Sequence, residues 1–296
     1  MRSWVISVPI WGPQYVQVFI EHAAPALRMA LAGFGESVRF VCHTDSPGEV
    51  TAALRPFPVQ TLPVGLRPTY VTLQESHAQV ISMADLGDVV VLLNADLVIS
   101  GNLIRGCAQH FNSGKKAVVL LGIRTNLLTG LPPAGAEPRA LLEWAWDHRH
   151  QIIRDLEWGT GSSMLPTNLF FVNDDSVVAR GFHLHPVAIV KDHEITFGST
   201  IDGDLLDVFD RSTLHVVTSP DDISMLEISE PSRRFPVRTE AGLTPARVAG
   251  AMRTRASPLH RWLFEQHRII VRGSGNGCDD LPAVGEIMKI MNRHGH

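Results

Sequence analysis

The sequence predicts an α/β fold: a mostly parallel central sheet flanked by helices, with a helical C-terminal appendage. Three observations predict it. Short apolar runs recur along the chain, and the richest, Asp88-Val89-Val90-Val91-Leu92-Leu93, reads as a strand buried on both faces. Segments with helical periodicity fill the intervals between these runs, as in a chain of strand–helix–strand units. The 296 residues are 45% hydrophobic and 19% charged, enough to bury a sizeable core.

The elements follow in order. Trp4–Pro9 is the first strand, and Tyr15–Ala32 has helical periodicity that Pro25 divides or kinks. Ser37–His43 is the second strand. Pro56, Pro58, Pro63 and Pro68 mark a loop region with room for one short edge strand. Thr72–Ala84 is a helix with Leu73, His77, Val80, Ile81 and Ala84 along one side, and the 88–93 strand comes next. Leu103–Phe111 is a helix and Ala117–Leu121 another buried strand. After a Pro- and Gly-rich loop at Leu131–Pro138, a helix near Arg139–Glu157 carries Trp144, Trp146, His148 and His150. Strands follow at Asn168–Val172, Val187–Val190 and Leu214–Thr218, and Thr244–Ile270 is mostly helical. The expected division is an α/β domain over residues 1–230 and a basic, mostly helical extension over 231–296 that packs on it.

Composition narrows the function. Cys42, Cys107 and Cys278 are an odd number and contain no CxxC, so they read as reduced thiols of a cytosolic protein. The apolar part of the N-terminus is too short for a signal peptide, and no run reaches the ~18 apolar residues of a spanning helix. From Pro231 to Arg272 nine Arg stand against Glu240 and Glu265, in a chain of net charge -4. This basic stretch could face phosphates or anionic lipid, giving peripheral contact with the inner membrane face; a solvated helix surface explains it equally well. It has little aromatic interleaving, so nucleic acid is not an expected partner.

The strongest motif is Asn94-Ala95-Asp96, at the end of the 88–93 strand. Ligands of open α/β sheets bind at the carboxyl ends of strands, and in an extended segment residues 94 and 96 point the same way. A carboxylate there is well placed to hold a divalent cation against a phosphate. The competing reading is a turn cap after a core strand. A second motif is the turn after the first strand, Pro9-Ile10-Trp11-Gly12-Pro13-Gln14-Tyr15. Gly12 permits a tight turn, and Trp11 or Tyr15 could stack on a nucleobase.

Val8-Pro9-Ile10-Trp11-Gly12 and Leu92-Leu93-Asn94-Ala95-Asp96-Leu97-Val98, in this order and spacing, resemble the GT-A-type glycosyltransferases over roughly residues 4–220. The resemblance implies a GT-A-like sheet and transfer of a sugar from a UDP- or GDP-linked donor to a hydroxyl of a glycan, polysaccharide or lipid-linked acceptor. It implies Mn2+ or Mg2+ bound by Asp96, the last position of the family's DxD motif. Asn94 departs from the first position; its amide can bond a ribose hydroxyl but carries no charge. Pro9, Trp11, Gly12 and Tyr15 would line the nucleotide. An acidic residue in the later region would serve as general base, which singles out Asp202 and Asp204 in Thr200-Ile201-Asp202-Gly203-Asp204, although either could be a helix cap. A histidine would complete the metal site, His185 first and His215 second. Arg105, Arg124 and Lys191 are candidate positive helpers, His43-Thr44-Asp45 could reach base or ribose, and the Gly159–Ser163 loop could offer N–H groups to phosphate.

Two other functions compete. A sugar-1-phosphate nucleotidyltransferase would share the sheet, but residues 9–15 lack the basic residue of its Gly-rich signature. A non-catalytic nucleotide- or glycan-binding protein would accommodate the Asn at position 94. No GxxxxGK[ST] and no GxGxxG after the first strand occur, which disfavours Walker-type and NAD-binding sites.

Overall fold

The computed structural model describes residues 2–65, 69–126, 131–163, 165–198, 201–229 and 242–293. Thr200 and the arginines at 233, 234 and 238 lie outside the described residues. The strands are β1 (Ser3–Ser7), β2 (Ser37–His43), β3 (Val59–Leu62), β4 (Val89–Leu92), β5 (Leu97–Ile99), β6 (Ala117–Leu120) and β7 (Ile123–Asn126). They continue with β8 (Asn168–Val172), β9 (Val177–Gly181), β10 (His185–Val190), β11 (Leu214–Val216), β12 (Met225–Ser229) and β13 (Ile269–Arg272). The fold is mixed α/β. Its seven-stranded central sheet has the order β11-β6-β10-β4-β1-β2-β3. Every neighbouring pair is parallel except those made by β10, which runs antiparallel to both β4 and β6.

This order fixes where a ligand can sit. The chain winds outward from β1 through β2 to β3, then returns to place β4 on the other side of β1. The β1–β4 gap is therefore a switch point, with a crevice outside the carboxyl ends of both strands. Val89, Val90, Val91 and Leu92 are all fully buried. Each such side chain contributes about 1.5–3 kcal/mol of apolar burial, so β4 is anchored along its whole length.

The helices are α1 (Pro13–Val18), α2 (Ala24–Leu31), α3 (Pro47–Ala53), α4 (Thr69–Met83) and α5 (Leu103–Asn112), then α6 (Pro138–Asp147), α7 (Gln151–Arg154), α8 (Pro245–Arg255), α9 (Pro258–Gln266) and α10 (Leu281–Arg293). The helix predicted at Tyr15–Ala32 is divided as Pro25 requires. Between α1 and α2 the backbone widens into a π turn, Phe19–Ala23, and the Ala24 N–H reaches back to Phe19 O. The wider turn makes room for a proline ring that would otherwise crowd the preceding turn. The long helix expected at Arg139–Glu157 is α6 and the short α7, parted at His148–His150, where His150 Nδ1 caps α7 by accepting from the Ile152 N–H (3.1 Å).

Two smaller sheets, β5-β12-β7 and β13-β9-β8, flank the main one. Most of their strands escape the sequence reading because they are only three to five residues long. The C-terminal residues are tied to the domain by β13, which pairs with β9, and by a second apolar cluster. That cluster joins Leu169, Phe171 and Phe182 to Val248, Phe264 and Ile287. A buried ion cluster reinforces it: Asp280 accepts from Arg180 at 2.7 Å and Arg268 at 2.8 Å. Burial alone would raise the Asp280 carboxyl, but the two guanidiniums outweigh it and hold the group below its ordinary value. The three cysteines are free thiols, and burial pushes Cys42 up to about 12. No helix among the described residues is long and apolar enough to cross a membrane.

Candidate active site

The crevice at the switch point opens into a cavity of about 1120 Å3. That exceeds the roughly 300–1,000 Å3 usual for one small ligand, so a donor and part of an acceptor could share it. Its walls come from the carboxyl ends of the parallel strands and the amino end of the reversed one. Pro9, Trp11 and Tyr15 follow β1, Asn94 to Leu97 follow β4, Gly122 and Arg124 follow β6, and His183 and His185 lead into β10.

Asn94 and Asp96 both line the cavity, by a different route from the one expected. β4 ends at Leu92, and residues 94–97 form a turn closed by Leu97 N–H donating to Asn94 O (3.2 Å). The turn, rather than strand alternation, directs both side chains. Asp96 is 6% exposed, and its carbonyl accepts from Ile228 N–H (2.8 Å), which fixes the turn to β12. Asn94 is positioned by a residue that the sequence places on the apolar side of a helix. His77, fully buried on α4, faces Asn94 Oδ1 with Nε2 (3.4 Å) and Ser7 Oγ with Nδ1 (2.9 Å). Because Oδ1 can only accept, Nε2 donates to it and Nδ1 accepts a hydrogen bond from the Ser7 hydroxyl. This neutral relay leaves the Asn94 amide nitrogen for a ligand. Burial drives His77 down to about 3, so the ring stays uncharged.

His185 is built as a metal ligand would be. Its Nε2 donates to Leu92 O (2.8 Å), which fixes the tautomer and leaves the Nδ1 lone pair as the free acceptor of the ring. Burial lowers its pKa, so it is neutral near pH 7. With Asp96 on the same cavity, one carboxylate and one neutral imidazole suit a divalent ion whose remaining ligands are phosphate oxygens and waters. His215 is not in the cavity; its Nε2 bonds Asp222 Oδ2 (2.7 Å) on another part of the molecule.

The two acidic candidates separate. Asp202 lines the cavity, and its Oδ2 is 4.0 Å from His183 Nδ1. Its own carbonyl is held by His260 Nε2 (3.1 Å). Asp204 is not a lining residue, and its Oδ2 accepts from Gly198 N–H (2.8 Å), which ties a loop. Gly12 also serves the walls indirectly. With φ 83° it starts α1, and its N–H donates to Asp45 Oδ2 (2.9 Å). Asp45 thus holds the Trp11 loop, while His43 bonds Gln79 (2.9 Å); neither lines the cavity.

Of the expected helpers only Arg124 reaches the cavity, and Glu227 Oε1 pairs with it at 2.6 Å. Lys191 is buried and donates to Ser82 O and Ala84 O at the end of α4, where a cation suits the helix dipole. Arg105 bonds Ala32 O, away from the site. The N–H groups of Gly161 and Ser163 are used internally, on Glu157 O (2.6 Å) and Asp155 O (2.9 Å), although Ser162 and Ser163 do line the cavity. Trp146 is buried against Phe170 and Trp144 stacks on His148 at 4.1 Å, so this helix supplies packing; its neighbours His150 and Asp155 face the cavity. Arg255, from α8, also reaches the wall and brings one charge of the basic segment into the site.

No protein-family profile matches this chain, and no curated protein sequence matches it. Among solved structures, TarS of S. aureus is similar over 99% of this chain at 13% identity and a TM-score of 0.38. This chain spans 43% of that one. The 1–349 form of S. aureus TarS is similar over the whole chain and 73% of its own length, at 11% identity and a TM-score of 0.41. A mycobacterial protein is similar over 89% of this chain and 72% of its own, at 14% identity and a TM-score of 0.35. These scores are low, so the chemistry of the site rests on the residues of this chain.

Proposed function

We propose that the chain is a glycosyltransferase that moves a sugar from a nucleoside-diphosphate donor to a hydroxyl acceptor. The observation that carries this reading is the shared placement of Asn94, Asp96 and His185 on one large cavity at the β1–β4 switch point. Breaking the sugar–phosphate bond puts negative charge on the leaving diphosphate. A Mn2+ or Mg2+ ion held by Asp96 and His185 would supply the positive charge that stabilises it. Trp11 and Tyr15 offer aromatic faces for the base, Pro9 shapes the loop behind them, and the His77-oriented Asn94 amide can bond a ribose hydroxyl. Asp202 is the carboxylate that can accept the proton of an acceptor hydroxyl, with His183 beside it to orient the group. Arg255 on the wall adds charge that favours an anionic substrate, whether a glycan or a lipid-linked acceptor.

The test is release of nucleoside diphosphate from a panel of UDP- and GDP-linked sugars, with Mn2+ or with EDTA, for the native chain and Asp96→Ala. The proposal expects metal-dependent turnover that Asp96→Ala lowers by roughly 10²–10³-fold, as for loss of a group that stabilises transition-state charge. Near-native turnover of the variant in EDTA would remove the metal role. Donor binding without turnover would favour a non-catalytic binding protein.

A further inference from the structure

A second group of ligating side chains lies away from the cavity. His110 near the end of α5, His215 on the edge strand β11 and Asp222 in the loop before β12 converge on one point. His110 Nε2 is 3.0 Å from Asp222 Oδ1, and His215 Nε2 is 2.7 Å from Asp222 Oδ2. The imidazoles stack, with centroids 3.4 Å apart and planes 18° apart. The three ligand atoms lie within 4.8 Å of one another, and no other group of three such atoms is present among the described residues. All three side chains are about one-fifth exposed, so an ion could enter from solvent while most of its shell is protein.

We propose that His110, His215 and Asp222 bind one Zn2+-class ion that clamps α5, β11 and the loop into β12. Two neutral imidazoles and one carboxylate match the ligands zinc prefers, whereas Mg2+ and Ca2+ take oxygen. In a tetrahedral shell with bonds of about 2.0–2.1 Å, ligand atoms sit roughly 3.3–3.4 Å apart. The two rings now meet different oxygens of Asp222, at 3.0 and 2.7 Å, so these contacts open by roughly 0.3–0.7 Å as one oxygen and both Nε2 atoms turn to a common ion. On binding, each imidazole presents its Nε2 lone pair to the metal and carries its proton on Nδ1, Asp222 supplies one oxygen, and water fills the fourth position. No electron transfer is involved.

The surroundings hold these ligands independently of the ion. Asn102 Nδ2 donates to Asp222 O (2.7 Å), and Ser100 and Ser224 exchange bonds of 3.0 and 3.1 Å on the same loop. Gly106, one turn before His110, lets the loop close on α5: a Cβ there would stand 2.4 Å from Ile223 Cγ2. The clamp also leads toward the cavity. Asp222 begins the segment that becomes β12, which carries Glu227 and fixes the Asp96 turn through Ile228.

The experiment strips the full chain of metal and titrates Zn2+ by calorimetry and Co2+ by visible absorption. Cu2+ pulsed EPR then counts the coordinated imidazoles of the native chain. The proposal expects one tight equivalent, tetrahedral Co2+ bands and two imidazole nitrogens. His110→Ala and His215→Ala should each weaken Zn2+ by more than the roughly 10–100-fold of an outer-shell loss. Asp96→Asn should retain this equivalent, which keeps the test separate from the cavity metal. Failure of the native chain to bind Zn2+ would overturn the proposal, as would an equivalent that survives the double variant His110→Ala/His215→Ala. Because the EPR count uses the native chain, a variant that does not fold cannot decide the outcome.

Discussion

Asp96 and Asp222 are both carboxylates beside the same small sheet, just before β5 and β12, yet they are held in contrasting ways. Around Asp222 the protein closes the circle: two imidazoles meet one carboxylate at 2.7 and 3.0 Å. Asp96 instead borders a space of about 1120 Å3, and the His77 and His185 rings that share its lining are turned to Asn94 and to the backbone. A closed group offers all its ligands before any partner arrives. An open group leaves part of the shell to the substrate, as enzymes that bind phosphate with Mg2+ or Mn2+ do. The first arrangement is that of the proposed clamp, the second that of the proposed reaction site.

The largest expected effect sharpens this contrast between facing the cavity and being satisfied within the fold. Asp202→Asn should lower kcat by about 10²–10⁴-fold, the usual worth of a positioned general base. Asp204→Asn should leave kcat within a few-fold, because its carboxylate serves Gly198 N–H instead. Steady-state rates with the preferred donor and acceptor decide it; equal losses in both variants would erase the distinction.

A smaller effect concerns the neutral relay behind Asn94. In the folded chain burial holds the His77 pKa down at about 3, whereas in the unfolded chain the ring has the ordinary histidine value of 6.5. Below pH 6.5 the unfolded state gains a proton that the folded state refuses. Stability therefore falls as pH drops from 6.5 toward 3, by up to about 1.4 kcal/mol per pH unit for this one group, and is unaffected by it above 6.5. His77→Gln should flatten that part of the acid slope while lowering stability at pH 7. Urea midpoints between pH 7 and 4.5 measure it, and an unchanged slope would mean that the ring is hydrated.

Much of the frame was legible because burial on both faces leaves a strong mark. Val89–Leu92 and Ala117–Leu120 are continuous apolar runs, and Ser37–His43 and Asn168–Val172 match their predicted limits. Short strands such as β5 and β12 were not, since three to five residues carry too little periodicity and depend on pairing with distant partners. Of the site, Pro9, Trp11, Tyr15, Asn94, Asp96, His185 and Asp202 do share one cavity. The reading missed Glu227, whose signal was a lone charge inside the apolar run Met225-Leu226-Glu227-Ile228. His77 stood in the predicted helix as one polar residue on an apolar face, but only its bonds to Ser7 at the end of β1 and to Asn94 after β4 show that it orients Asn94. The His110–Asp222 pairing joins residues 112 apart and left no local trace.

The most direct measurement is the thermal shift given by UDP and GDP, each with and without Mn2+, in the native chain and in Asp96→Asn. A ligand at 100 times its Kd adds about 2.7 kcal/mol to the folded state. The account predicts that one nucleotide raises Tm strongly only with Mn2+, and that Asp96→Asn abolishes the metal-dependent part. The same metal-dependent shift in Asp96→Asn would contradict it.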